Sequence, residues 1–279
     1  MIQLEQVSFA YPSQGPSVQD LSFRIDDGEF IAVLGANGAG KTTTVRLVDG
    51  LIRPSSGRVL LNGVDTAHSQ VSQRARQVGF LFQNPDRQIC KITVREEILF
   101  GLKAARGDES EKALQDRCEE VLREFSFTGD EEPFSLSRGQ RQRVALASIL
   151  AVEPETLILD EPTTGLDYLE CCQIMDRIRR MNEEKKVTVL MVCHDMEVVQ
   201  DYARRALVLS GGRLLADGPV REIFRDQDLM QRASILPPQM VGLSLRLGEG
   251  FEHADSPASM AEAVLAVRGR NRHEGRQEQ

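Results

Sequence analysis

Nowhere in the 279 residues does an apolar run approach the ~18–20 needed to cross a bilayer, so no membrane span is expected. The first residues, MIQLEQVSF, have no basic stretch followed by an apolar core, and no secretory signal is expected. A surplus of positive charge is missing too: 34 Lys and Arg against 42 Asp and Glu leave a net charge of −8. That argues against a nucleic-acid binder held by phosphate contacts, short of a local basic patch. Five cysteines (Cys90, Cys118, Cys171, Cys172 and Cys193) lack metal-type spacing, and their odd number suits a reduced cytosol. The adjacent pair Cys171–Cys172 reads as helix packing rather than a redox device. At 41% hydrophobic and 27% charged, the chain has the composition of one large or two modest globular domains.

One stretch stands out from that background. GANGAGKTT, residues 35–43, follows the apolar run EFIAVL, which reads as a buried strand, and runs into TTTVRLVDGL, which reads as a helix. This is the strand–loop–helix setting that a P-loop, G-x-x-x-x-G-K-[ST], requires. Gly38 and Gly40 let backbone amides ring the phosphates, Lys41 reaches the β- and γ-phosphates, and Thr42 ligates Mg2+. A glycine-rich turn with an incidental lysine is the bland alternative, and the accompanying strand, helix and hydroxyl disfavour it.

The second half supplies what such a loop lacks. TLILDEP, residues 156–162, is an apolar strand ending in two carboxylates. Asp160 is placed to hold Mg2+ through water. Glu161 points elsewhere because side chains alternate along a strand, which makes it the candidate to polarise the attacking water. A plain turn before Pro162 is the alternative. VTVLMVCHD, residues 187–195, repeats the arrangement with His194 at the strand terminus. Strands at 30–34, 157–160 and 188–193, with helical patterns between them, imply a parallel sheet whose ligands bind at the strands' carboxyl ends. Lys41, Asp160, Glu161 and His194 all fall there, and a γ-phosphate contact is the better reading of His194.

LSRGQRQR, residues 136–143, resembles a second phosphate site. Ser137 and Gln140 have capping-box spacing, Gly139 lets a ligand approach the backbone, and amides at a helix start favour phosphate. Residues 93–105 and 110–125 carry apolar positions three or four apart, so the region 84–150 reads as an inserted helical subdomain. The segment to about residue 30 alternates like antiparallel strands. Tyr11, within it, is either a surface aromatic or a stacking platform for adenine.

In order and spacing, GANGAGKTT, Gln83, LSRGQ, TLILDEP, GLD and His194 resemble the ATPase subunit of ATP-binding cassette (ABC) transporters, over residues 1–225. The resemblance implies an α/β fold: a P-loop NTPase core with a parallel sheet, an N-terminal antiparallel β subdomain and an inserted helical subdomain. It implies ATP and Mg2+ as cofactors, with nucleotide contacts from Tyr11, Asn37, Gly38, Gly40, Lys41, Thr42 and Thr43. Thr42, Gln83 and Asp160 would hold the Mg2+, and Glu161 would act in catalysis with His194 and Gln83. A second ATPase subunit, identical or merely similar, would pack head to tail. Ser137, Gly139 and Gln140 would then face the partner's ATP, and Asp167 of GLD would lie at the dimer interface. Arg138 stands where glycine is usual, and Tyr168 where proline commonly follows GLD.

NPDRQ (84–88) and the tail ILPPQMVGLSLRLG (235–248) narrow the resemblance to the energy-coupling-factor group, whose ATPases power uptake of vitamins or of nickel and cobalt ions. It implies a peripheral protein on the cytoplasmic face of the cell membrane. Its partners would be a membrane-embedded coupling subunit and a substrate-binding membrane subunit, with no nucleic acid. Asp86, Gln88, Glu96 and Glu97, around Ile92, Ile98, Leu99 and Phe100, read as an acidic rim on an apolar floor that suits an arginine-bearing coupling helix. Asp86, Gln88 and Glu97 are the docking candidates. Residues 226–279 read as a small α-rich dimerisation extension: a helix after the Pro-Pro break, a second over 256–267, and a frayed tail from 268. ATPase subunits of other ABC systems share the motifs. A chromosome-structure ATPase needs a long coiled coil that is missing here, and a small-molecule kinase leaves LSRGQ unexplained.

Overall fold

The computed structural model describes residues 1–12 and 15–274. Two long antiparallel strands come first, β1 (Ile2–Ala10) and β2 (Pro16–Ile25), then the buried β3 (Phe30–Leu34) that leads to α1 (Lys41–Asp49). A hairpin of β4 (Ser56–Leu61) and β5 (Val64–Asp65) is followed by α2 (Val71–Gln77) and β6 (Val78–Leu81). Three helices, α3 (Val94–Arg106), α4 (Glu111–Glu124) and α5 (Arg138–Ala151), separate β6 from β7 (Thr156–Asp160). Then come α6 (Tyr168–Lys185), β8 (Thr188–Val192), α7 (Met196–Tyr202) and the pair β9 (Arg205–Ser210) and β10 (Arg213–Pro219). The described chain closes with α8 (Val220–Arg225), α9 (Gln227–Ala233), α10 (Gln239–Leu247) and α11 (Pro257–Glu274).

The strands form two sheets. One, ordered β2-β1-β4-β5, is antiparallel. The other, β10-β9-β3-β8-β7-β6, is parallel except for β10. Its inner strands are mostly apolar, with polar residues confined to their ends, because both faces are covered. Alternate residues serve two cores. Ile31, Val33, Ile158, Leu190 and Leu207 join α1 and the antiparallel sheet, whereas Leu34, Leu157, Leu159, Val189 and Met191 join α5 and α6. Burying one such Val, Leu or Ile contributes roughly 1.5–3 kcal/mol. The order β3-β8-β7-β6 has a direct consequence for function. Residues that follow these four strands (the P-loop, His194, Glu161 and Gln83) emerge side by side at one edge.

The helical region starts where local chemistry favours it. A capping box joins Thr93 and Glu96 at the start of α3, and the Ser110 side chain accepts from Ala113 N at the start of α4. The boundary expected after residue 225 falls between α8 and α9, and no break in packing marks it: Leu229, Met230, Ala233 and Val241 enter the core shared by α5 and α6. Two hydrogen bonds from α7 fasten the extension. Gln239 N donates to Glu197 Oε1 at 2.9 Å, and Gln200 Nε2 donates to the Asp255 carbonyl at 2.7 Å. The second tail helix continues to Glu274, beyond residue 268 where fraying was expected; residues 275–279 lie outside the described part. Among the described residues, no helix is long and apolar enough to cross a membrane.

Candidate active site

The loop after β3 turns into α1 at Gly40, whose φ of 100° is left-handed. A Cβ there would stand 2.6 Å from the Ser17 carbonyl oxygen, so glycine is required twice over. No side chain caps the first turn of α1, which leaves its amides available to an anion. Lys41 is buried, and its Nζ donates to the carbonyls of Gly35 and Ala36 at 2.8 and 2.9 Å. Burial pulls its pKa below the ordinary lysine value, while the charges of Glu161 and Asp160 work in the other direction.

Thr42 Oγ1 donates to Asp160 Oδ1 at 3.2 Å, and Asp160 is only 1% exposed. Burial raises the Asp160 pKa, the Thr42 hydrogen bond lowers it, and the neighbouring Glu161 charge raises it. Arg46 and Lys41 also pull it down, and burial outweighs them. A hydroxyl and a carboxylate oxygen, without nitrogen or sulfur, fit a hard cation such as Mg2+ that keeps phosphate and water as its other ligands. Among the described residues, no cluster of three or more His, Cys, Asp or Glu forms a self-sufficient metal cage.

Glu161 is the hub. Its Oε1 accepts from Gln83 Nε2 at 2.8 Å and lies 3.2 Å from His194 Nε2, while its Oε2 accepts from Thr164 Oγ1 at 3.1 Å. His194, expected to touch a γ-phosphate, and Gln83, expected to hold Mg2+ and act in catalysis, are thus turned onto the carboxylate itself. The reason for the divergence of Asp160 and Glu161 also differs from the expected one. Strand β7 ends at Asp160, and Glu161 takes a left-handed φ of 56°, so a backbone turn rather than strand alternation redirects the side chain.

A cleft of about 230 Å3 gathers Tyr11, Asn37, Gly38, Gly40, Lys41, Thr42 and Thr43 with Gln83, Glu161 and His194. Tyr11 stands edge-on to Phe9, with ring centroids 4.8 Å apart. Sequence reasoning missed Ser17, Thr164 and Gln142. Ser17 Oγ lies 2.9 Å from Thr43 Oγ1 and ties α1 to β2. Gln142 is buried on α5, and its Nε2 donates to the carbonyls of Glu161 and Pro162, each at 3.4 Å. Thr164 sits three residues after Glu161, a spacing that a turn would have signalled. Ser17 and Gln142 act across the fold and leave no local trace.

Ser137, Gly139 and Gln140 lie outside this cleft. Ser137 and Gln140 form the capping box of α5. Gly139, expected to admit a ligand, is instead buried against its own chain: a Cβ there would meet the Gly165 carbonyl oxygen at 2.5 Å. Asp167 caps α6, accepting from Glu170 N at 2.8 Å, and next to it Tyr168 is 86% exposed.

The acidic rim is present only in part, at the exposed Asp86 and Glu96. Glu97 is 4% exposed and turns inward to accept from the amides of Cys90 and Lys91, both at 2.9 Å. Gln88 is likewise committed within the chain, its Oε1 accepting from Phe82 N and its Nε2 donating to the Ala145 carbonyl, each at 3.2 Å. Ile98 is core, not floor. Asp86 alone of the three docking candidates keeps a half-exposed carboxylate, and it pairs with Arg141 at 2.6 Å. Ile92 at 75% and Phe100 at 48% remain exposed, with Lys91 Nζ 4.1 Å from the Phe100 ring centre.

A P-loop and a buried strand-end carboxylate, with a glutamate beside a histidine and a capped LSRGQ helix, define an ATP-binding cassette. The ABC transporter family profile matches residues 18–164, more than half of the chain, and the chain belongs to that family. It is 38% identical over 257 residues to the energy-coupling factor transporter ATP-binding protein EcfA of Methanothermobacter thermautotrophicus, covering 90% of this chain and 82% of that protein. The solved structure of CbiO1 from Clostridium perfringens, part of the ABC transporter complex CbiONQ, superposes with a TM-score of 0.70 at 30% identity, covering 87% and 97%. An ATP-binding cassette solved as a dimer in a post-hydrolysis state with ADP and Pi gives a TM-score of 0.73 at 28% identity, covering 79% and 99%. ABC transporter ATP-binding proteins of Caldanaerobacter subterraneus and two Methanosarcina species are 41–43% identical but longer, and the chain spans 40–44% of their length.

Proposed function

We propose that the chain is the ATP-hydrolysing subunit of an energy-coupling-factor importer for a vitamin or a transition-metal ion. The observation that carries this reading is the convergence of Gln83, His194 and Thr164 on Glu161, beside Lys41, Thr42 and Asp160. ATP would lie along the P-loop with its adenine on Tyr11, flanked by Asn37 and Thr43. Mg2+ held by Thr42, Asp160 and Gln83 would neutralise charge on the phosphates. Glu161 accepts the proton of the attacking water, and Gln83 and His194 fix the carboxylate for that step. Positioning and charge stabilisation account for most of such chemistry.

A second cassette completes the site in this reading. The amides at the start of α5, beside Ser137, Gly139 and Gln140, face the partner's γ-phosphate, and Asp167 lies where the two cassettes meet. The dimeric neighbour supports this, as do relatives long enough to hold two cassettes. The names of the EcfA and CbiO1 relatives support attachment to membrane subunits at the cytoplasmic face, with Asp86, Ile92 and Phe100 as the docking surface.

The test is Glu161→Gln in the assembled complex. Turnover should fall at least about hundredfold while ATP binding persists. Turnover within about threefold of wild type, a barrier change of only ~0.7 kcal/mol, would remove the water-activating role. Identifying the membrane proteins that co-purify separates an energy-coupling-factor complex from another ABC importer.

A further inference from the structure

Helix α5 holds both segments that meet at the catalytic carboxylate. On one side it grips the turn after β7, through the Gln142 hydrogen bonds to the carbonyls of Glu161 and Pro162 and the close contact of Gly139 with Gly165. On the other side Arg141 pairs with Asp86, three residues after Gln83. Arg138 lies one turn before Arg141, on the same face of the helix. The stem of Arg138 crosses Gly165, with Cγ and Cδ each 3.6 Å from where a Cβ of that residue would stand. Its far end shares a hollow of about 250 Å3 with Gln83, Asn84 and Asp86. Among the described residues its guanidinium has no hydrogen bond or ion pair, with Asp86 or with any other group, and is free to turn toward this hollow. A cation in a helix's first turn is disfavoured by the helix dipole, so this arginine needs a nearby anion, and Asp86 is the carboxylate in its hollow.

We propose that Arg138 is a positioning residue for ATP hydrolysis. Braced on the turn that follows Glu161, it draws the Gln83–Asp86 segment inward, so that Gln83 stays within hydrogen-bond reach of Glu161. Asp86 then has Arg141 as its ion-pair partner and Arg138 as a second cation facing it across the hollow, and the usual glycine at this position would leave it only the first. The proposal rests on the ATPase reading above.

The experiment is steady-state ATP hydrolysis by the full chain, with Arg138→Gly, Arg138→Gln and Arg138→Lys each made alone and in a Gln83→Ala background. Arg138→Gly and Arg138→Gln should each lower kcat about fivefold and leave KM for ATP within about twofold, while Arg138→Lys stays within about twofold of wild type. The glutamine variant keeps the stem, and it carries the test should the glycine variant unfold. In the Gln83→Ala background the same changes should cost almost nothing further, because both act through one contact. Wild-type kcat in Arg138→Gly and Arg138→Gln would overturn the proposal, as would an undiminished loss in the Gln83→Ala background. If the wild-type chain itself fails to hydrolyse ATP, alone and in its complex, the ATPase reading falls and this proposal with it. Hydrolysis by wild type with no effect at Arg138 removes the proposal alone.

Discussion

Two helices in this chain start at motifs suited to phosphate, and they are built in opposite ways. Helix α1 begins at the left-handed Gly40 with no side chain on its first amides. Helix α5 begins with a complete capping box: Ser137 Oγ accepts from Gln140 N at 3.2 Å, and Gln140 Oε1 accepts from Ser137 N at 3.0 Å. A ligand completes the first start, whereas the second is finished within the chain. In LSRGQ, then, the side chains build the helix end and the glycine admits a neighbouring turn. Only backbone amides remain to meet a phosphate. The same kind of motif can therefore encode recognition in one place and mainly support in another.

The contrast breaks most visibly at Lys41. Lys41→Ala should weaken ATP binding at least about hundredfold, roughly 2.7 kcal/mol, and abolish the rise in Tm on adding ATP. Titration calorimetry on the full chain checks it, and wild-type affinity would mean that α1 does not hold the phosphates. Gly139→Ala should act on the nucleotide-free protein instead. Its new methyl meets a backbone oxygen, which costs roughly 1–3 kcal/mol in a denaturant melt while affinity at the chain's own P-loop is unchanged. Unaltered stability would show that the turn around Gly165 yields.

The far end of α1 sharpens the comparison through pH. Asp49 places a carboxylate at the negative pole of that helix, and burial raises its pKa to about 7, with Arg74 pulling the other way. An unfolded Asp releases its proton near pH ~4, so between about 4 and 7 the folded chain binds more protons and stability falls as pH rises. Asp49→Asn should therefore gain roughly 1–2 kcal/mol over wild type at pH 8, after discounting for partial exposure, and nothing at pH 4. Thermal melts at both values decide it, and equal stabilities at pH 8 would mean that Arg74 already satisfies the charge. The smallest effect belongs to Ser137→Ala. Losing the cap should cost about 1 kcal/mol with or without ATP, measured by the same melts. A loss seen only with ATP present would make Ser137 a ligand contact rather than a cap.

Much of the catalytic edge is legible in the sequence because its determinants are local. The runs FIAVL, TLILD and TVLMV are mostly apolar and buried throughout since both faces are covered, and the box at Ser137 and Gln140 spans a single turn. What the sequence hides depends on distant partners or on uncommon backbone. A left-handed glutamate cannot be foreseen at Glu161, so strand alternation takes the credit for what a turn achieves. Glu97 reads as a solvated charge until the preceding loop folds back and presents the amides of Cys90 and Lys91 to it. Gly139 reads as open because the carbonyl that covers it belongs to a residue well downstream.

The two hydrogen bonds from α7 to the C-terminal extension bear on how this chain can evolve. Glu197 and Gln200 contribute side chains, but on the extension's side both partners are backbone atoms, the amide of Gln239 and the carbonyl of Asp255. Such a mounting is blind to side-chain identity, and at residue 239 only proline would break it by removing the N–H. For these two bonds selection guards only Glu197 and Gln200, whereas Leu229, Met230, Ala233 and Val241 hold the extension through buried side chains. The exposed positions of the tail, such as Leu236, Leu243 and Leu247, can be rewritten for a new partner while the tail stays bolted beside His194.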